Sequence, residues 1–185
     1  MPDNGRISKL NNAGFSLVEL IVVIAILSIM TGVSALGINF AFSRDASKCA
    51  TKLNDAIYMA RMDSMSKQGD YYLEIKKEDN DFVAIINDGS SEVYHAKISE
   101  HGRISNIAYD LNGTGDNISD TKIVKIEFDK AKGNVEKYND VGFSADGSSG
   151  TNVDGLIVFT ISQKNGLRTS KVTLVTSTGK HKIGN

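Results

Sequence analysis

Leu20-Ile21-Val22-Val23-Ile24-Ala25-Ile26-Leu27-Ser28-Ile29-Met30 is an almost wholly aliphatic stretch. It sits inside a run of 24 residues, from Leu20 to Ser43, that carries no charge. About 20 apolar residues in a helix cover the hydrocarbon core of a bilayer, so this run is long enough to span one. It is apolar all round, which a helix on the surface of a soluble domain is not. A secretory signal with a cleavage site near Val33-Ser34-Ala35 would need a shorter apolar core. A plain membrane anchor fits the length but leaves Glu19, at the edge of the run, without a reason. A third reading cuts the chain before the apolar segment and keeps the helix in the mature protein.

Upstream, residues 1–14 are polar and include Arg6 and Lys9; Asn11-Asn12-Ala13-Gly14 ends them and Phe15 opens the apolar run. Glycine before a scissile bond lets a peptidase approach the backbone closely. Cutting there would create an α-amine, of ordinary pKa about 8, one helical turn from Glu19. A carboxylate in hydrocarbon is costly unless paired or protonated. Snorkelling of Glu19 to lipid headgroups is the plainer reading. Charge does not set the orientation, because Arg44, Lys48 and Lys52 on the far flank balance Arg6 and Lys9.

Gly14-Phe15-Ser16-Leu17-Val18-Glu19-Leu20-Ile21 resembles the processing motif of type IV pilins and of the pseudopilins of type II secretion and competence systems. The resemblance implies cleavage between Gly14 and Phe15 by a prepilin peptidase, N-methylation of Phe15, and an assembly role for Glu19, whose carboxylate a neighbouring chain's terminal amine would neutralise, fixing the axial register of two helices. It divides the chain into a leader (1–14), a hydrophobic transmembrane and assembly helix (15–43) and a globular head (44–185). It places the leader in the cytoplasm, the helix in the cytoplasmic membrane and the head outside. Its partners would be other pilins or pseudopilins, the peptidase and membrane lipid.

Between Gly37 and Gly69 there is no glycine or proline. Ala46, Cys49, Ala50, Leu53, Ala56, Ile57 and Ala60 recur at helical spacing, with Arg44, Lys48, Lys52 and Asp55 opposite. One helix is expected from about Ser16 to about Gln68, softened at Gly32 and Gly37 and capped by Gly69. Beyond it the period becomes two. Tyr71-Leu73-Ile75 and Val124-Ile126-Phe128 alternate with polar residues, and further strands are expected near 81–86, 92–98, 103–111, 156–162 and 167–176. Asn165-Gly166 reads as a two-residue hairpin turn. The fold class is α+β, a long N-terminal helix packed on antiparallel β-sheet. Ala60-Arg61-Met62-Asp63-Ser64-Met65, Phe143-Ser144-Ala145-Asp146-Gly147-Ser148 and Ser177-Thr178-Gly179-Lys180 resemble segments of the H-type minor pseudopilins and T-type minor pilins, which carry two sheets beside the helix. Alanine stands at 145 where that group often has proline, and lysine at 180 and 182 where arginine is common.

No cofactor or metal site is expected. One cysteine excludes an internal disulfide and a cysteine-rich zinc site, and Cys49 on the small-residue helix face reads as a buried thiol. His95, His101 and His181 are scattered and form no catalytic motif, so an enzyme is not expected. Asp110, Asn112, Thr114, Gly115 and Asp116 hint at a calcium loop, but Thr121 occupies the position of its bidentate glutamate, and a solvated turn is the better reading. Asp146 and Asp154 with their glycines make an equally slight case. Charge is more telling. Residues 44–154 hold 14 basic and 20 acidic groups, whereas no acid follows Asp154 and Lys164, Arg168, Lys171, Lys180 and Lys182 do. That asymmetry could orient neighbouring subunits. Alternatively, Arg168, Lys171, Lys180 and Lys182 could track DNA phosphates, as the basic C-terminal segment of some T-type minor pilins does. No aromatic platform accompanies them.

Overall fold

The computed structural model describes residues 16–42, 44–138, 154–164, 166 and 168–184, with side chains given for 16–32 of the first stretch. The chain divides into two compact units, Met1–Phe42 and Ser43–Asn185.

The first unit holds one helix, α1 (Leu17–Phe42). Ser16 starts it: its hydroxyl accepts the Glu19 N–H at 3.2 Å and its carbonyl accepts the Leu20 N–H at 3.1 Å. Large apolar side chains from Leu17 to Met30 are exposed on every side. The two hydroxyls among them turn back onto their own helix. Ser28 donates to the Ile24 carbonyl at 2.7 Å and Thr31 to the Leu27 carbonyl at 2.8 Å. Neither hydroxyl therefore needs water. Among the described residues no helix is long and apolar enough to cross a membrane.

The second unit begins with α2 (Asp45–Ser66), so the single helix expected over 16–68 is two. The division falls where the residue pattern changes from uniformly apolar to one-sided. The Arg44 carbonyl accepts the Lys48 N–H, and the acid Asp45 suits a first turn. The helix persists through Gly32 and Gly37, where softening was expected. It is Lys67, not Gly69, that caps α2: its backbone turns extended and its N–H reaches the Asp63 carbonyl at 3.0 Å. Gly69 follows at φ +144°.

Two antiparallel sheets pack on α2. One has strand order β3-β2-β1-β6-β7, built from β1 (Tyr72–Glu78), β2 (Asp81–Asn87), β3 (Glu92–Lys97), β6 (Val124–Phe128) and β7 (Val135–Tyr138). The other has order β10-β9-β8-β4-β5, from β4 (Ile104–Leu111), β5 (Thr114–Asn117), β8 (Leu156–Gln163), β9 (Thr169–Val175) and β10 (His181–Gly184). Ala46, Cys49, Ala50, Leu53, Ala56, Ile57 and Ala60 form the buried face of α2, against Phe82, Phe128, Phe159 and the inward aliphatics of both sheets. The small residues let the helix approach closely, while Leu53 and Ile57 fill the volume between the layers.

Arg61 ties the sheets together from the helix. Its Nε donates to the Gly133 carbonyl at 2.8 Å and an Nη to the Thr178 carbonyl at 3.3 Å. Gly133 lies in the β6–β7 turn and Thr178 in the β9–β10 turn. The Val135 N–H also donates to the Thr176 carbonyl at 2.8 Å, joining the same two edges.

Between β8 and β9 the connection is longer than the two-residue turn expected at Asn165-Gly166. Strand pairing ends at Ser162 and Thr169, and the Gly166 N–H donates to the Gln163 carbonyl. Asn165 itself lies outside the described residues.

Asp81 opens β2. Its carboxylate accepts the Gly102 N–H at 3.0 Å and faces the Lys97 ammonium at 3.5 Å. The Gly102 hydrogen bond, helped by Lys97, holds the carboxyl below the usual range. A carboxyl lowered on folding stabilises above its unfolded pKa, about 3.9, and loses that contribution as pH falls through the folded value. Asp81→Asn is therefore expected to be less stable than the parent at pH 7, with the gap closing as pH falls through the folded carboxyl's lowered pKa. Thermal melts from pH 2 to 8 read this; a constant gap across that range would refute the assignment.

Candidate functional site

Glu19 stands in the first turn of α1, exposed among Leu17, Val18, Leu20, Ile21, Val22 and Val23. A carboxylate near a helix N-terminus complements the partial positive charge of the free N–H groups there. Its backbone N–H donates to the Ser16 hydroxyl. Leader residues 1–14, Gly14 at the expected cleavage point and Phe15 lie outside the described residues, as does the 143–148 segment with Asp146.

The four C-terminal cations are exposed but do not converge. β10 pairs with β9 so that Lys182 opposes Thr173 and Gly184 opposes Lys171. Lys171 and Lys182 therefore share the outer face of that sheet, because paired residues point to one side. Arg168 precedes β9 and Lys180 precedes β10, at opposite ends of β9. Among the described residues none of the four makes an ion pair.

Asp110, Asn112, Thr114, Gly115 and Asp116 form the β4–β5 hairpin. Leu111 opposes Thr114, and Asn112 (φ 54°) and Gly113 (φ 87°) make the two-residue turn. Asp110 accepts the Gly113 N–H at 2.8 Å, and Asp116 pairs with Lys122. These oxygens serve the hairpin, and among the described residues no group of histidine, cysteine or carboxylate side chains could hold a metal.

Cys49 is buried, and desolvation pushes its thiol up to about 12. It stays protonated and inert at neutral pH. The histidines are dispersed. His95 lies between Glu92 (2.8 Å) and Glu78 (3.4 Å) on the first sheet, His101 sits in the β3–β4 loop at φ 60°, and His181 stacks obliquely near Tyr58.

The structure brings together two of the three short segments singled out in the sequence. Arg61 and Met65 from α2 meet the turn of Thr178 and Gly179 through Gly133. Gly133 went unremarked in the sequence; its one signal was a glycine between two short polar stretches.

No curated protein and no solved structure matches the chain. Residues 9–35 match the family model of the prokaryotic N-terminal methylation motif, so the chain carries a type IV prepilin-like N-terminus, with Gly14, Phe15, Glu19 and most of α1 inside the matched stretch.

Proposed function

We propose that the chain is a prepilin-type precursor of a minor pilin or pseudopilin. It is cut between Gly14 and Phe15 by a prepilin peptidase that methylates the new amine of Phe15. The hydrophobic segment 15–43 then anchors it in the cytoplasmic membrane with the head outside. From there the helix carries it into a type IV pilus, competence or type II secretion pseudopilus filament or its tip. The chain acts as substrate and building block rather than as an enzyme, and its partners are other filament subunits.

The observation that carries this reading is a coincidence of position. The methylation motif at 9–35 overlies a helix whose aliphatic side chains from Leu17 to Met30 are exposed all round and whose Ser28 and Thr31 hydroxyls bond back to the helix. Such a surface has to be covered by lipid or by other helices. Two sheets flanking α2 support the likeness to the H-type and T-type minor subunits.

Coexpression with a prepilin peptidase, followed by intact-mass measurement, tests it. The expected product lacks residues 1–14 and carries one added methyl group. Gly14→Ala is expected to leave the chain uncut. An unprocessed parent, or equal processing of the variant, would refute the proposal.

The shared face of Lys171 and Lys182 favours a second reading, in which the head of the same anchored subunit binds DNA through Arg168, Lys171, Lys180 and Lys182. The full chain in neutral detergent should then shift a DNA duplex. Replacing Lys171 and Lys182 with glutamine should reduce the salt slope of log affinity by about two. Binding indifferent to salt and to these changes would exclude this mode.

A further inference from the structure

Between the first turns of α2 and the loop joining β3 to β4 lies a cavity of about 610 Å³. Arg44, Lys48 and Lys52 line it from the helix and Arg103 from the loop. The helical three recur every four residues, so they stack along one face. Ile98 and Ile104, both buried, are also among its lining residues.

Two carboxylates share the cavity. Glu100 bonds Lys52 at 2.5 Å, and Asp45 lies 3.5 Å from Arg103. Among the lining side chains cations outnumber carboxylates, His101 aside. Lys48 is exposed and makes no ion pair among the described residues. The chain position of this cluster is also informative. Arg44 comes two residues after Phe42, the end of α1. Removal of the leader takes away Arg6 and Lys9, so the basic flank of the apolar helix is then at the head side. Cations on the outer flank run against the usual membrane bias, and a negative lipid surface would compensate them.

We propose that this cavity receives the phosphate headgroup of an anionic phospholipid, with Lys48 as its main contact and Arg44, Lys52 and Arg103 around it. The proposal rests on the membrane-anchored reading of α1. A phosphate ester bearing acyl chains fits a cationic wall with apolar neighbours better than a free ion does. It also docks the head at the lipid surface before the subunit leaves the membrane.

The test uses the full-length, isotope-labelled chain in a nonionic detergent, titrated with short-chain phosphatidylglycerol, short-chain phosphatidylcholine or inorganic phosphate. Amide shifts are read by NMR. Phosphatidylglycerol is expected to shift amides in 44–52 and 98–104, phosphatidylcholine to leave them in place, and inorganic phosphate to bind at least about tenfold more weakly. Lys48→Gln should weaken the lipid about fivefold. Glu100→Gln, which removes a competing internal anion, should tighten it. Lys132→Gln, an exposed cation outside the cavity, should leave the lipid response unchanged. Equal response to phosphatidylcholine, phosphate binding as tight as the lipid, or an unaffected Lys48→Gln would each overturn the proposal. A dispersed amide spectrum shows that each variant is folded. Cell fractionation separates the two claims: a chain that sediments with membrane but fails the titration overturns the cavity assignment alone. A chain that does not sediment overturns the anchor, and this proposal with it.

Discussion

Gly179→Ala is expected to destabilise the head by about 3–5 kcal/mol and to lower its melting temperature by about 10 °C or more. Two costs combine. Gly179 sits at φ +66°, where an added Cβ meets its own backbone, for about 1–2 kcal/mol. That Cβ would also collide with the Gly133 carbonyl oxygen and stand 2.7 Å from Arg61 Nε. The carbonyl is backbone and cannot swing aside, and it is the acceptor that Arg61 holds at 2.8 Å. Relief requires moving one turn away from the other, which breaks the tie between the sheets. Gly166 provides the control. Its φ is +67°, nearly the same, but an added Cβ there meets nothing within 4 Å. Gly166→Ala should therefore show the conformational cost alone. Urea unfolding of both variants measures the difference, expected at about 2–3 kcal/mol. If the two variants lose equal stability, the contact between the turns is not what holds the sheets. Gly133→Ala should fall between them, because the nearest atom to its Cβ is the Met65 sulfur at 2.5 Å, the end of a flexible side chain.

The parts of this fold that were legible in the sequence are those where burial imposes a period. α2 shows its buried face because Ala46 to Ala60 must meet two sheets. β1 and β6 show alternation because one side of each strand packs aliphatic side chains on the core, while the other carries half-buried polar ones and the buried Glu127, paired with Lys137. β5, β7 and β10 were missed for the converse reason. Each has four residues, TGDN, VEKY and HKIG, and each lies at the edge of a sheet. An edge strand borrows its order from the neighbour it pairs with, so its own residues need little pattern. Asp110 to Asp116 read as a solvated turn, but the Asn112-Gly113 pair within it was not read as the two-residue hairpin it makes. The divide between α1 and α2 was hidden because no glycine or proline marks Ser43-Arg44-Asp45. The Arg61 tie was beyond reach, since it joins residues 72 and 117 positions away. The N-terminal segment stands apart. Its signal is local chemistry, a glycine, an aromatic and one acid ahead of an aliphatic helix, and needs no tertiary contact to be read.

Glu19→Ala is expected to leave cleavage after Gly14 intact while reducing incorporation into filaments by more than about 100-fold. The two steps separate because they ask different things of the residue. On the proposed reading, the peptidase needs an approachable backbone at Gly14, five positions earlier. Assembly needs the exposed aliphatic face of α1 to be covered by other helices, and this draws the Glu19 carboxylate out of water along with Leu17, Val18, Leu20 and Ile21. The cleaved Phe15 amine of an adjoining subunit is the nearest matching charge such a bundle offers. In the Ala variant that amine is buried without a partner, a loss of about 3–5 kcal/mol. Glu19→Gln distinguishes charge from shape: it keeps the volume and hydrogen-bonding capacity, so it should assemble as poorly as Glu19→Ala if ion pairing is the cause. Sedimented filament, normalised to processed chain in the membrane, gives the readout. Normal incorporation of Glu19→Gln would remove the ion pair from the account, and loss of cleavage in either variant would place Glu19 in peptidase recognition instead.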